Sequence, residues 1–221
     1  MEQNALKMLA AKAALHYIED GITLGVGSGS TVNCFIEALG AAKMQFADIV
    51  TASDESTRRL EAHGYRVSDL NSVGRIDVYV DGCDEINPHK AMIKGGGAAL
   101  TREKIVAACS AKFVCIVDES KYVSRLGKFP LPVEVIPSAR SLVARQLLKL
   151  GGEPQLRVGF ITDSGNEILD VADMDLSRPL TLEDELNKIT GVVENGLFAR
   201  DAADVLILAR AGGVEVIKVG G

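Results

Sequence analysis

The chain has 221 residues, 47% of them hydrophobic, and a formal net charge of −6. That is enough for one large domain, or a main domain with a smaller one, around a full core. The acidic balance argues against nucleic acid as a partner, although a local basic pocket for one small anion stays possible, and no apolar run approaches the length of a membrane span.

The opening segment MEQNALKMLAAKAALHYIEDG places Leu6, Leu9, Ala13 and Tyr17 at helical spacing among charges, which predicts an amphipathic helix and not a secretory leader. A short strand ITLGVG (22–27), a helix from Ser30, a strand DIVTAS (48–53), a helix near 54–63 and a strand RIDVYVD (75–81) follow. A helix near 98–110 and the strand KFVCIVD (112–118) continue the alternation. Strands separated by helices predict right-handed crossovers and a mostly parallel sheet.

From Pro130 the punctuation changes. FPLPVEVIP is broken by proline, SARSLVARQLLKLGG reads as a helix stopped by Gly-Gly, and PQLRVGFITD with NEILDVAD reads as a hairpin. A helix near 179–189 and a strand over 196–199 complete a small α+β unit of ferredoxin-like kind. The apolar segments ADVLILAR and VEVIKV return to the main sheet. The expected fold is therefore α/β: a Rossmann-like, mostly parallel sheet flanked by helices (1–130 plus 200–221), into which a smaller domain (131–199) is inserted as a lid or for oligomerisation.

Cys34, Cys83, Cys109 and Cys115 form no CxxC pair and meet no histidine cluster in the sequence. No zinc site is expected, and the thiols read as reduced, buried or half-buried groups in a cytoplasmic setting.

Chemistry concentrates in three places. GVGSGST (25–31) joins a strand to a helix, where backbone N–H groups and the helix dipole favour an anion; the same loop reads equally as a tight turn capped by Ser30. It fits neither the dinucleotide GxGxxG pattern nor a P-loop. The acids of DGCDE (81–85) end a strand, where parallel sheets bind ligands, and they read either as turn caps or as partners for sugar hydroxyls. Lys94 precedes Gly95, Gly96 and Gly97, a run whose entropy cost calls for a close backbone approach. In the following helix Glu103 has apolar neighbours suited to a general base, but Arg102 and Lys104 are surrounded comparably, so spacing leaves the three undivided.

Taken in order, GVGSGST, DGCDEIN, MIKGGGAALTREK, DESK and LGKFPLPVEVIP closely resemble ribose-5-phosphate isomerase of the A type over nearly the whole chain. The resemblance implies interconversion of ribose 5-phosphate and ribulose 5-phosphate in the pentose phosphate pathway by a cytoplasmic homodimer or dimer of dimers. It implies a phosphosugar substrate, no metal or organic cofactor, and neither nucleic acid nor membrane as partner. By matching position it implies Glu103 as the proton-transferring base, with Asp81, Asp84 and Lys94 as polar catalytic residues. Ser28, Gly29, Ser30, Thr31, Asp81, Gly82, Cys83, Asp84, Lys94, Gly95, Gly96, Gly97 and Lys121 stand at substrate-binding positions. Cys83 departs from the alanine expected in DGADE and brings susceptibility to oxidation. Two rival readings use the same residues: a divalent metal gathered by Asp81, Asp84, Glu85 and Glu103, and a sugar-phosphate sensor without catalysis.

Overall fold

The computed structural model describes residues 2–218. Met1 of the expected first helical segment and Val219 of the expected last strand lie outside the described residues, as do Gly220 and Gly221. The elements are, in chain order, α1 (Gln3–Ala14), β1 (Thr23–Val26), α2 (Ser30–Ala42), β2 (Asp48–Thr51), α3 (Asp54–Ala62) and β3 (Val78–Asp81). Then come β4 (Glu85–Ile86), β5 (Met92–Ile93), α4 (Leu100–Ala108), β6 (Phe113–Asp118), β7 (Leu131–Val135) and α5 (Arg140–Lys149). The last are β8 (Glu153–Leu156), β9 (Glu167–Ala172), α6 (Pro179–Asn187), β10 (Val192–Asn195), β11 (Leu197–Phe198), β12 (Val205–Arg210) and β13 (Gly213–Lys218).

The chain divides into two compact units. The first comprises the described residues through Cys83, Arg102–Tyr122 and the described residues from Ala203 onward. Its six-stranded sheet has the order β13-β12-β6-β3-β1-β2, parallel throughout except for β13. β6 (FVCIVD) is buried along its whole length and β12 (VLILAR) all but its last residue, as continuous apolar runs demand, whereas β13 (GVEVIK) is a largely exposed edge carrying Glu215 and Lys218.

One face of this sheet packs Val78, Val80, Val114, Ile116 and Ile207 with Phe35, Ile36 and Leu39 of α2, each buried large side chain contributing about 1.5–3 kcal/mol. The same core takes Leu6, Ala10, Ala11 and Ala14 of α1, while Leu9, Ala13 and Tyr17 of the expected stripe are only partly buried. Three of these four buried side chains are alanines, small enough to let that helix approach the sheet closely. Pleating turns Tyr79, Asp81, Phe113 and Cys115 to the other face, where the Tyr79 and Phe113 rings lie 4.8 Å apart. Val106 of α4 packs there against Gly25; a Cβ on that glycine would stand 2.9 Å from Val106 Cγ1.

From β1 the chain passes through α2 to β2 on one side, and from β2 through α3 to β3 on the other. The carboxyl ends of β1 and β3 therefore flank the point where strand order reverses, the place where open α/β sheets bind their ligands.

The second unit comprises Asp84–Thr101 and Val123–Ala202. Its element order β7-α5-β8-β9-α6-β10 and antiparallel strand order β10-β7-β9-β8 are ferredoxin-like, around Val133, Val135, Val143, Leu147, Leu169, Val171, Leu182 and Leu186. A three-stranded sheet β11-β5-β4 belongs to the same unit. Pairing of β5 with β11 draws Asp84–Thr101 into this unit, whereas the boundaries at 130 and 199 count that segment with the larger domain. β8 ends at Leu156, so the expected long hairpin is shorter and residues 157–166 form its loop.

Candidate active site

In the first unit the chain leaves β1 at Gly27, whose N–H donates to Val80 O at 2.9 Å and whose carbonyl accepts from Ser56 Oγ at 2.6 Å. A Cβ on Gly27 would lie 1.9 Å from Asp81 Cγ, so the site needs glycine here to admit a carboxylate. Asp81 is fully buried. Its Oδ1 accepts the backbone N–H of Ser28 at 3.0 Å and of Gly82 at 2.7 Å, and its Oδ2 accepts the Tyr79 hydroxyl. Burial holds the Tyr79 phenol well above its ordinary pKa, and the negative charges of Asp81 and Glu103 add to this, so Tyr79 stays a donor.

Glu103 stands in the first turn of α4, three residues before Val106 and on the same helix face. Ser28 Oγ donates to Glu103 Oε1 at 2.6 Å, at the carboxyl end of β1. Arg102 points elsewhere, pairing through Nη1 with Asp54 Oδ1 at 2.7 Å. Packing of α4 thus separates Glu103 from Arg102, which spacing alone does not do.

Gly29 is the N-cap of α2, and Ser30 and Thr31 open that helix. Lys7 Nζ donates to Ser30 Oγ at 2.9 Å. Four residues before Lys7 on the same face of α1, Gln3 Nε2 donates to Asp118 Oδ2 at 3.3 Å and Ser120 Oγ at 3.4 Å, in the turn that ends with Lys121. Ser28, Asp81 and Glu103 are therefore joined by direct bonds, and Ser30 gains a cation not foreseen from the sequence.

In the second unit Asp84 Oδ2 accepts the Gly96 N–H at 2.7 Å. Arg157 Nη1 donates to the carbonyls of Gly95 and Gly96, both at 3.1 Å, while its Nε and Nη2 hold Asp170 at 2.8 and 2.5 Å. The glycine run is thus clamped on both its amide and its carbonyl side, with Gly95 at φ +103°, a conformation that glycine adopts without strain. Gly97, whose Cβ position is open, completes the turn. Lys94 is 2% exposed; its N–H donates to Gly196 O at 2.9 Å and its Nζ lies 5.4 Å from the Phe198 ring centroid, within cation–π range.

Glu85, a member of the alternative metal set, accepts the N–H groups of Gly127 at 2.8 Å and Phe129 at 2.7 Å and braces the loop entering β7. Among the described residues no group of three or more His, Cys, Asp or Glu side chains is placed to hold a metal ion. Lys7, Tyr79 and Arg157 escape sequence reasoning. Arg157 meets its loop across 61 and 62 residues of chain, and no local pattern announces such a contact.

Fold and constellation define the class: an α/β enzyme with polar groups gathered at the carboxyl ends of parallel strands. Residues 48–213 match the family described as ribose 5-phosphate isomerase A (phosphoriboisomerase A). The chain is 58% identical over 214 residues to ribose-5-phosphate isomerase A of Acidithiobacillus ferrooxidans, covering 97% of this chain and 98% of that one. With the Neisseria meningitidis protein of the same name it shares 55% identity over 215 residues, 97% and 96% of the two chains. The crystal structure of ribose 5-phosphate isomerase A from Neisseria gonorrhoeae superposes with a TM-score of 0.98 at 54% identity, covering 100% of this chain and 99% of that chain. A D-ribose-5-phosphate isomerase in complex with phospho-erythronic acid superposes with a TM-score of 0.94 at 39% identity, over 99% and 100% of the two chains. The chain belongs to the ribose 5-phosphate isomerase A family. Among the described residues no helix is long and apolar enough to cross a membrane.

Proposed function

We propose that this protein interconverts D-ribose 5-phosphate and D-ribulose 5-phosphate by proton transfer through an enediolate, with Glu103 as the base. The observation that carries the proposal is the 2.6 Å bond from Ser28 Oγ to Glu103 Oε1 at the point where strand order reverses. A carboxylate so oriented can take the proton from C2 and return it to C1. Negative charge then develops on O1 and O2, and Lys94 stabilises it. Asp81, with both oxygens held by Ser28, Gly82 and Tyr79, orients the sugar, and Asp84 relays the oxygen proton and assists opening of the furanose ring.

Gly29, Ser30 and Thr31 at the head of α2, with Lys7 and Lys121, hold the phosphate. Binding energy from that unreactive end then aligns the reacting carbons. Gly82, Cys83 and the backbone of Gly95, Gly96 and Gly97 line the sugar, with the Gly96 N–H kept by Asp84. The relative that holds phospho-erythronic acid supports the reading, because a phosphate at one end and a planar carboxylate at the other reproduce the charge and shape of the enediolate.

The proposal includes a cytoplasmic homodimer or dimer of dimers serving the pentose phosphate pathway without metal or organic cofactor, with residues 131–199 as a lid or oligomerisation domain. Its test is direct: purified protein converts ribose 5-phosphate to ribulose 5-phosphate in the presence of EDTA, and substrate deuterated at C2 loses part of its label to solvent. No product sinks the reading, and complete retention of label replaces the base with a hydride shift.

A further inference from the structure

Cys83 sits in the turn joining Asp81 to Asp84 and is partly exposed, whereas Cys115 is buried on β6 at the position paired with Asp81. Their sulfurs are 3.8 Å apart. Closing that gap to a disulfide of about 2.05 Å requires a relative movement of only about 1.8 Å, within reach of side-chain rotation and a small backbone shift.

We propose that Cys83 and Cys115 form a redox-modification site at which a peroxide converts the two thiols to an intramolecular disulfide, reversibly disabling the enzyme. The effect on activity rests on the isomerase reading above; formation of the bond does not.

The chemistry balances with peroxide as oxidant. Cys83, the thiol that solvent reaches, attacks one peroxide oxygen; an S–O bond forms, the O–O bond breaks, and hydroxide leaves to take the thiol proton as water. The Cys115 sulfur then attacks the sulfenic sulfur, so that S–S forms, S–O breaks and a second water departs. Two electrons pass from the thiols to the peroxide. A dithiol reverses the bond by exchange. Because Cys115 already lies against Cys83, resolution competes with further oxidation to the irreversible sulfinic acid.

Loss of activity follows from what Cys83 is attached to. Gly82 donates its N–H to Asp81, and a Cβ on Gly82 would lie 3.6 Å from Ile116 O, so the turn already runs close over β6. Drawing Cys83 toward Cys115 pulls on Gly82 and on the peptide that fixes the Asp81 carboxylate.

The experiment exposes the purified full chain to hydrogen peroxide and maps peptides without reduction. The expected result is a linked Cys83–Cys115 peptide, an intact mass lower by ~2 Da, activity down at least about tenfold, and recovery with dithiothreitol. Cys115→Ser keeps its untreated activity and forms no linked peptide; its Cys83 sulfenic acid is recovered by dithiothreitol at first, and a second equivalent of peroxide carries it to the sulfinic acid with loss of water, after which dithiothreitol restores nothing. Absence of the linked peptide at a dose that oxidises the exposed Cys109 overturns the proposal, as does a linked protein with undiminished activity. If Cys115→Ser fails to fold, the linked peptide and the dithiol recovery of the natural chain decide alone. An untreated chain without isomerase activity defeats the function proposed above, while the linked peptide still decides whether the thiols pair.

Discussion

The loop after β1 and the loop after β5 both depend on glycine and both belong to the proposed site, yet they are held by different means. The first is fixed by its own neighbours in the parallel sheet: Val80, Asp81 and Ser56 bond Gly27 and Ser28, and the loop presents a side chain, Ser28, to the carboxylate of Glu103. The second is fixed by Arg157 from a distant hairpin loop and by Asp84, and it presents backbone. The loop bonded to the Glu103 carboxylate is embedded in the sheet, and the glycine loop is held by side chains, a guanidinium on its carbonyls and an aspartate on the Gly96 amide. The first loop should therefore govern turnover and the second should govern binding.

The largest expected effect tests the first half of that contrast. Glu103→Gln keeps the shape and the Ser28 contact but removes the base, so kcat should fall about a thousandfold while KM stays within about threefold. Near-normal turnover in steady-state kinetics would remove Glu103 from the chemistry and erase the distinction between the loops. Arg157→Met addresses the second half. Loss of two carbonyl contacts should raise KM about tenfold and leave kcat within about threefold. A fall in kcat with KM unchanged would break the comparison.

Tyr79→Phe gives the smallest effect, because it removes one donor to Asp81 and fills the same space: kcat/KM should fall about three- to tenfold. It also has a pH signature. Folding raises the Tyr79 pKa, so its contribution to stability is fully present below the unfolded value of about 10 and is lost as pH rises from there through the folded value. Thermal denaturation between about pH 8 and 11 should therefore show the natural chain losing more Tm than Tyr79→Phe. Parallel curves would show that the phenol does not titrate between the two states.

Much of this was legible in the sequence. Runs such as FVCIVD and VLILAR, short and rich in β-branched residues, read as strands covered on both faces, and the order of elements after Pro130 points to the ferredoxin-like unit. Asp81 was legible as the end of a strand. Glu103 was not separable from its neighbours, because the face of α4 is set by Val106 against Gly25, a contact between distant parts of the chain. β4 and β5 have two residues each, too few for a period to show. The Lys7–Ser30 contact depends on how α1 lies across the sheet, which its mixture of leucine and alanine does not reveal.

That placement has a wider consequence. Ala10, Ala11 and Ala14 are wholly buried and their side chains contain no polar atom, yet they act as a shim. Their thinness sets the height of α1 above the strands, and with it the reach of the ammonium one turn away. The tuning of a proposed anion seat is thus written into three methyl groups that never touch the anion.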